Sequence, residues 1–193
     1  DDISPESIGV RIERNSDRIS NILNLIRDME VWETKRRPEL VPVHLASILE
    51  DVRAQLQNRL TNKRMVLNIS RQSDVHVWGH HTMLCEQIFG NLLANAIKFS
   101  EEHSKIDVVI EAISPQEVNI VIRDYGVGIP VELQAALFDP LASTTRPGTA
   151  GEQGTGYGLP ITRDCLTVIG GKISISSRTK DTSKDHRPQV TVT

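Results

Sequence analysis

Apolar positions along this chain recur with two different periods, and the changes between them lay out its elements. Leu45, Ile48, Leu49, Val52, Leu56 and Leu60 follow the three-and-four spacing of an amphipathic helix. Short β-branched runs come next, at Met65 to Ser70 and Val75 to Trp78, before helical spacing returns from near His81 to Ser100. Lys105 to Ala112 and Glu117 to Arg123 read as strands joined through Ser114-Pro115 in a hairpin. A helix is expected from Leu159 to Ile169, then strands at Lys172 to Ser177 and Gln189 to Thr193, with Thr179 to His186 as a polar hairpin loop. At the other end, Ser4 and Pro5 open a helix that runs to about Arg36. Within it Ile12, Ile19 and Ile26 form one heptad series, and Ile8, Asn15, Ile22 and Met29 an offset one. This a/d seam suits a dimer interface or docking on the same chain, and Pro38 and Pro42 then make a linker. Strands gathered into hairpins with helices between them predict an α+β layer rather than a doubly wound parallel sheet.

A chain of 193 residues can bury one substantial core, so one globular domain plus a helical appendage is expected. With 38% hydrophobic and 24% charged residues and a net charge of −3, nothing favours nucleic acid or an anionic membrane as partner. The two cysteines, Cys85 and Cys165, lack metal or redox spacing and fit a reducing, cytosolic setting. No run approaches the roughly 18 apolar residues of a membrane span. The expectation is a soluble cytoplasmic piece, whatever membrane anchor a longer parent carries.

Three segments carry candidate chemistry. In the His81 to Ser100 helix, Leu92, Leu93, Ala96, Ile97 and Phe99 share a broad face, while Gln87, Asn91, Asn95 and Lys98 form a narrow stripe flanked by Gly90 and Ala94. The stripe suits a closely approaching ligand, or is an incidental asparagine pair on an amphipathic helix. After the strand ending at Arg123 comes Asp124-Tyr125-Gly126-Val127-Gly128, in which a carboxylate and bare backbone fit a flat, amino-bearing purine, or simply make a turn. Gly154-Thr155-Gly156-Tyr157-Gly158-Leu159-Pro160 leads into a helix and offers backbone N–H groups to phosphate; alone it could equally be a flexible linker. It matches neither the P-loop nor the dinucleotide fingerprint. Between these glycine segments lie Leu137-Phe138-Asp139-Pro140-Leu141 and a Ser/Thr/Gly/Pro-rich stretch, Ala142 to Gln153, that reads as a lid carrying Arg146.

Taken in order, helix amides, Asp-x-Gly-x-Gly, Phe-x-Pro and Gly-x-Gly-x-Gly resemble the N, first glycine, F and second glycine boxes of sensor histidine kinases. These belong to the ATPase superfamily shared with gyrase, MutL-type ATPases and heat-shock chaperones. The resemblance implies a Bergerat-type two-layer α/β sandwich over 43–193, a mixed, mostly antiparallel sheet with helices on one face. Residues 1–42 would then be the second helix of a dimerisation hairpin and its linker. It implies that ATP is bound by Asn91, Asn95, Lys98, Asp124, Gly126, Gly128, Phe138, Gly154, Thr155, Gly156, Gly158 and Leu159. Asn91, Asn95, Lys98 and Arg146 would serve catalysis, and Asn95 would hold Mg2+. An amide at Asn91, where ATP-hydrolysing relatives carry glutamate, fits phosphoryl transfer better than hydrolysis. The implied partners are a second copy of the chain and a response-regulator receiver domain.

No histidine here sits in a phosphoacceptor motif, so the acceptor is expected upstream of Asp1. Three departures stand out: Leu141 in place of an aromatic, His80 and His81 where an aspartate is usual, and a Gly-Tyr-Gly-Leu-Pro similar to the mitochondrial dehydrogenase kinases. They keep two alternatives in view, a non-catalytic partner-binding module and a serine kinase.

Overall fold

The computed structural model describes residues 38–70, 75–142, 144–177 and 189–193, so the expected N-terminal heptad helix and the Thr179 to His186 loop lie outside it. Among the described residues the strands are β1 (Val41–His44), β2 (Val66–Ser70), β3 (His76–Gly79), β4 (Lys105–Ser114), β5 (Glu117–Asp124), β6 (Ile173–Ser176) and β7 (Gln189–Val192). The main sheet has the order β2-β4-β5-β7-β6; β2 runs parallel to β4 and every other pairing is antiparallel. β1 and β3 form a separate antiparallel ribbon. The α+β expectation holds, with one correction. Pro42 lies inside β1 opposite Trp78, and the compact unit runs from Leu40 to Thr193, so Val41 and Pro42 belong to this ribbon rather than to a linker.

Helix α1 (Leu45–Asn62) buries its whole predicted stripe, Leu45, Ile48, Leu49, Val52, Leu56 and Leu60. No side chain caps its N-terminus. Six apolar side chains at about 2 kcal/mol each outweigh the roughly 1 kcal/mol a cap contributes, so packing and not capping holds this helix. On the sheet, Ile106, Val108 and Ile110 of β4 are buried at alternate positions, as the two-residue period of a strand requires, while β5 buries Ile120, Val121 and Ile122 in succession. Helices cover that face and close one core.

The central helical run departs from the sequence expectation. It begins as a π-helical segment, Met83–Gly90, and only then becomes helix α2, Asn91–Phe99. A π turn is one residue wider than an α turn, so positions before Gly90 no longer share the phase of those after it. Gln87 therefore leaves the amide stripe, while Asn91, Asn95 and Lys98 remain together. Gly90 permits the wide turn, since a Cβ there would stand 2.5 Å from the Cys85 carbonyl oxygen. Replacing it with alanine is expected to cost about 1–3 kcal/mol, because that oxygen is backbone and cannot swing aside. The midpoint of urea unfolding reads this directly.

The short α3 (Val131–Gln134) and α4 (Gly158–Val168) complete the helices among the described residues. Thr162 ties α4 to the π segment, its hydroxyl lying 2.8 Å from both the Gln87 and the Gly158 carbonyl oxygens.

Candidate functional site

One cavity gathers Arg59 from α1, Asn91, Asn95 and Lys98 from α2, Asp124 from β5, Gly128, Arg146, and Gly154, Thr155, Gly156, Gly158 and Leu159 at the start of α4. Ile122, Ile129, Leu137 and Ile175 add apolar wall. Eleven of the residues expected from the sequence thus line one space, although they are spread from position 91 to position 159. Gly126 and Phe138 do not. Gly126 sits behind Asp124, and Phe138 turns aside to lie 5.8 Å beneath the Arg163 guanidinium, leaving its neighbour Leu137 on the wall.

The two asparagines are presented differently. Asn91 Nδ2 donates to the Gln87 carbonyl at 2.8 Å and to the Gly158 carbonyl at 3.3 Å, which fixes the amide and leaves Oδ1 to accept or ligate. Asn95, one turn on, also lines the cavity. Neutral oxygen donors of this kind suit a hard cation such as Mg2+, which takes few protein ligands and keeps phosphate and water in its shell.

Asp124 ends β5 with its carboxyl desolvated. One oxygen, Oδ1, accepts the Gly126 N–H at 2.9 Å. Burial nevertheless dominates and pushes its pKa up to about 6, with the backbone bonds from Gly126 and from Asp124 itself pulling the other way. Only glycine fits at 126, because a Cβ would collide with the Phe99 carbonyl oxygen.

The lid stretch is strapped down at the foot of α2. Lys63 is buried, and its ammonium lies within 3.1 Å of the Ile97, Lys98 and Ser100 carbonyls, 2.8 Å from Thr149 Oγ1 and 2.7 Å from Glu152 Oε1. These carbonyls include orphans at the C-terminus of α2, so one cation both caps the helix and anchors the loop. The Thr149 backbone N–H adds a bond to the Lys98 carbonyl at 3.0 Å. Burial is the largest single influence on Glu152 and opposes its ionisation, but the hydrogen bond from Lys63, the backbone bonds from Glu152 itself and from Ala150, and the Lys63 charge together outweigh it and hold the carboxyl below its usual range. Lys63→Met is expected to cost about 3 kcal/mol, since it strands several buried acceptors. Chemical denaturation of the two proteins side by side measures it.

Arg146, expected as a free lid cation, is held instead. Its guanidinium donates to the Gly128 carbonyl at 3.1 Å and lies 5.2 Å from the Phe99 ring centre. Lys98 is buried, with its ammonium 4.8 Å from the same ring. Burial lowers the Lys98 pKa, Glu152 works against this, and Arg146 and Arg59 reinforce it. Crowded cations around a desolvated lysine make a region that polyanions relieve.

The model of the histidine kinase-, DNA gyrase B- and HSP90-like ATPases matches residues 80–192. The chain belongs to that ATPase family. It is 36% identical over 174 residues to the signal transduction histidine-protein kinase BarA of Escherichia coli K12, a match covering 86% of this chain and 19% of BarA. The chain therefore spans about a fifth of that curated relative. Among solved structures, full-length ShkA in complex with AMPPNP superposes with a TM-score of 0.70 at 20% identity, covering 100% of this chain and 39% of that one. Histidine kinase ThkA in complex with the response regulator protein TrrA gives 0.64 at 19% identity, covering 98% and 51%. At such identities these two speak for the fold alone. No helix among the described residues is long and apolar enough to cross a membrane.

Sequence reasoning missed several walls of this ATPase cavity. Arg59 carries no local signal, being an exposed arginine in the last turn of α1 that only the tertiary fold brings to the cavity. Thr144, Thr145 and Gln153 lay within the expected lid without being singled out, and Lys63 was not distinguished from other charged residues after a helix.

Proposed function

We propose that this domain binds Mg-ATP as the catalytic part of a two-component sensor histidine kinase. It would present the γ-phosphate to a histidine on a dimerisation helix, and the phosphoryl group would then pass to an aspartate of a response-regulator receiver domain. The observation that carries the reading is the convergence in one cavity of Asp124, the Asn91/Asn95 pair, three cations and the glycine-rich start of α4. The family membership and the histidine kinase relatives support it.

Asp124 offers its second carboxylate oxygen to the amino group of adenine, and the isoleucines and Leu137 suit the flat ring. Lys98, Arg59 and Arg146 neutralise the phosphates, and the uncapped N-terminus of α4 turns its N–H groups and dipole to the same task. Asn91 and Asn95 would hold Mg2+, which would supply neutralisation of the phosphate charge. Transfer forms an N–P bond to the incoming histidine as the bond from phosphorus to the ADP oxygen breaks, so the chain's contribution is position and electrostatics. No carboxylate stands at position 91 to activate water, which favours transfer over hydrolysis. Leu141, the departure that motivated a non-catalytic reading, is 94% exposed and touches none of this apparatus.

Calorimetric titration of the chain with Mg-ATP tests the reading. Saturable one-to-one binding, lost when Asp124 is replaced, is expected. A folded chain that binds no nucleotide would return the partner-binding alternative to first place.

A further inference from the structure

Away from the nucleotide cavity, His81, one of the two histidines at the place where an aspartate is usual ahead of the amide helix, joins a second constellation. Asp51 on α1, His81 just before the π segment and Cys85 within it bring one oxygen, one nitrogen and one sulfur donor within 4.8 Å of one another. His81 Nε2 stands 3.1 Å from Asp51 Oδ2 and 4.0 Å from Cys85 Sγ. A tetrahedral zinc site has edges of about 3.3 Å between nitrogen and oxygen ligands and about 3.6 Å between either of these and sulfur, so side-chain rotations that draw the longer separations in by about 1 Å or less close the set. His81 and Cys85 are four residues apart, the spacing that puts two ligands on one helical face.

We propose that Asp51, His81 and Cys85 form a binding site for a zinc-class divalent transition metal, clamping α1 to the π segment.

The donor types argue for that class of ion. A thiolate with an imidazole selects borderline-soft metals over Mg2+ or Ca2+, and a carboxylate completes a three-ligand set whose fourth position water fills. On binding, the Cys85 S–H bond gives way to a sulfur–metal bond and the proton leaves to solvent, while His81 coordinates through a neutral nitrogen. The approach is open on one side and closed on the other. The side chains of His81 and Asp51 are 60% and 53% exposed, while Cys85 is 2% exposed and sits against the Ile48 carbonyl at 4.0 Å. An ion arriving from solvent thus meets two exposed ligands and one held in the core. The same contacts without metal make only an exposed His–Asp pair, worth little in water. A bound ion would instead cross-link two elements at the entry to the helix that carries Asn91 and Asn95. The site is independent of the nucleotide reading.

Titration of the full chain with Co2+ alone, and with Zn2+ in competition, tests the proposal. Thiolate-to-cobalt charge-transfer absorption should appear at one equivalent, bleach with Zn2+, and vanish in Cys85→Ser. The exposed variants His81→Ala and Asp51→Asn keep the fold and should each weaken Zn2+ by about 100-fold or more, since even outer-shell partners of metal ligands cost 10–100-fold. Cys165→Ser should change nothing. No thiolate absorption, absorption that survives Cys85→Ser, or unchanged Zn2+ affinity in both exposed variants would each overturn the site.

Discussion

Replacing Asp124 with alanine is expected to weaken ATP by about 100-fold or more, the effect of removing a desolvated hydrogen-bonding carboxylate from a ligand that has been stripped of water to meet it. The elevated pKa of this residue gives the prediction a second arm. With the folded value pushed up to about 6, Asp124 stays protonated to higher pH than it would in the unfolded chain. Its contribution to stability is therefore fully present below its unfolded value and is lost as pH rises through about 6. Nucleotide binding runs the opposite way. Accepting the adenine amino proton favours the ionised carboxylate, so ATP affinity should rise by about tenfold between roughly pH 5 and pH 7 as that form becomes dominant. Asp124→Asn should bind more weakly and lose this slope. A wild-type affinity flat across the range would mean that this carboxylate does not meet the base.

The second large effect is expected at Asn95. Removing the amide should lower phosphoryl transfer by about 100-fold or more, the scale seen when one preorganised group is taken from a developing charge. A binding measurement separates this from general damage to the site. Wild-type affinity for ATP should fall when Mg2+ is chelated, whereas Asn95→Ala should lose most of this dependence on the ion. Persistence of the full Mg2+ dependence in the variant would assign the metal to other ligands, with Asn91 Oδ1 the first to consider. Asn91 also braces Gly158 through its Nδ2, so its loss would disturb the start of α4 as well and give a less selective result.

Much of this was legible in the sequence because it rests on local periodicity and on short motifs. The α1 stripe buries as spaced, the hairpin of β4 and β5 forms where β-branched residues flank Ser114-Pro115, and the amide and glycine segments converge. What could not be read depends on the backbone or on distant contacts. A hundred-degree helical phase assumed through Gln87 fails at the π turn, which only the fit of Gly90 against the Cys85 carbonyl reveals. Pro42 looked like a breaker, yet a two-stranded ribbon tolerates proline, which lacks the N–H that a central strand would need. Phe138 and Arg146 were assigned by motif to the site. Stacking with Arg163 draws the first away, and a carbonyl with an aromatic face holds the second in place. Lys63 gathers acceptors from residues 97 to 152, and no window along the chain contains both the cation and its partners.

The most direct test of phosphoryl transfer to histidine is to incubate the chain and a dimerisation helix that carries an acceptor histidine with γ-labelled ATP and follow the stability of the label on protein. The proposed function predicts a phosphoryl group labile in acid and stable in alkali, as a nitrogen–phosphorus bond requires, discharged on addition of a receiver domain and absent from the Asp124→Ala protein. An acid-stable, alkali-labile ester would point instead to a serine kinase, and a folded chain that transfers no label would contradict the catalytic reading altogether.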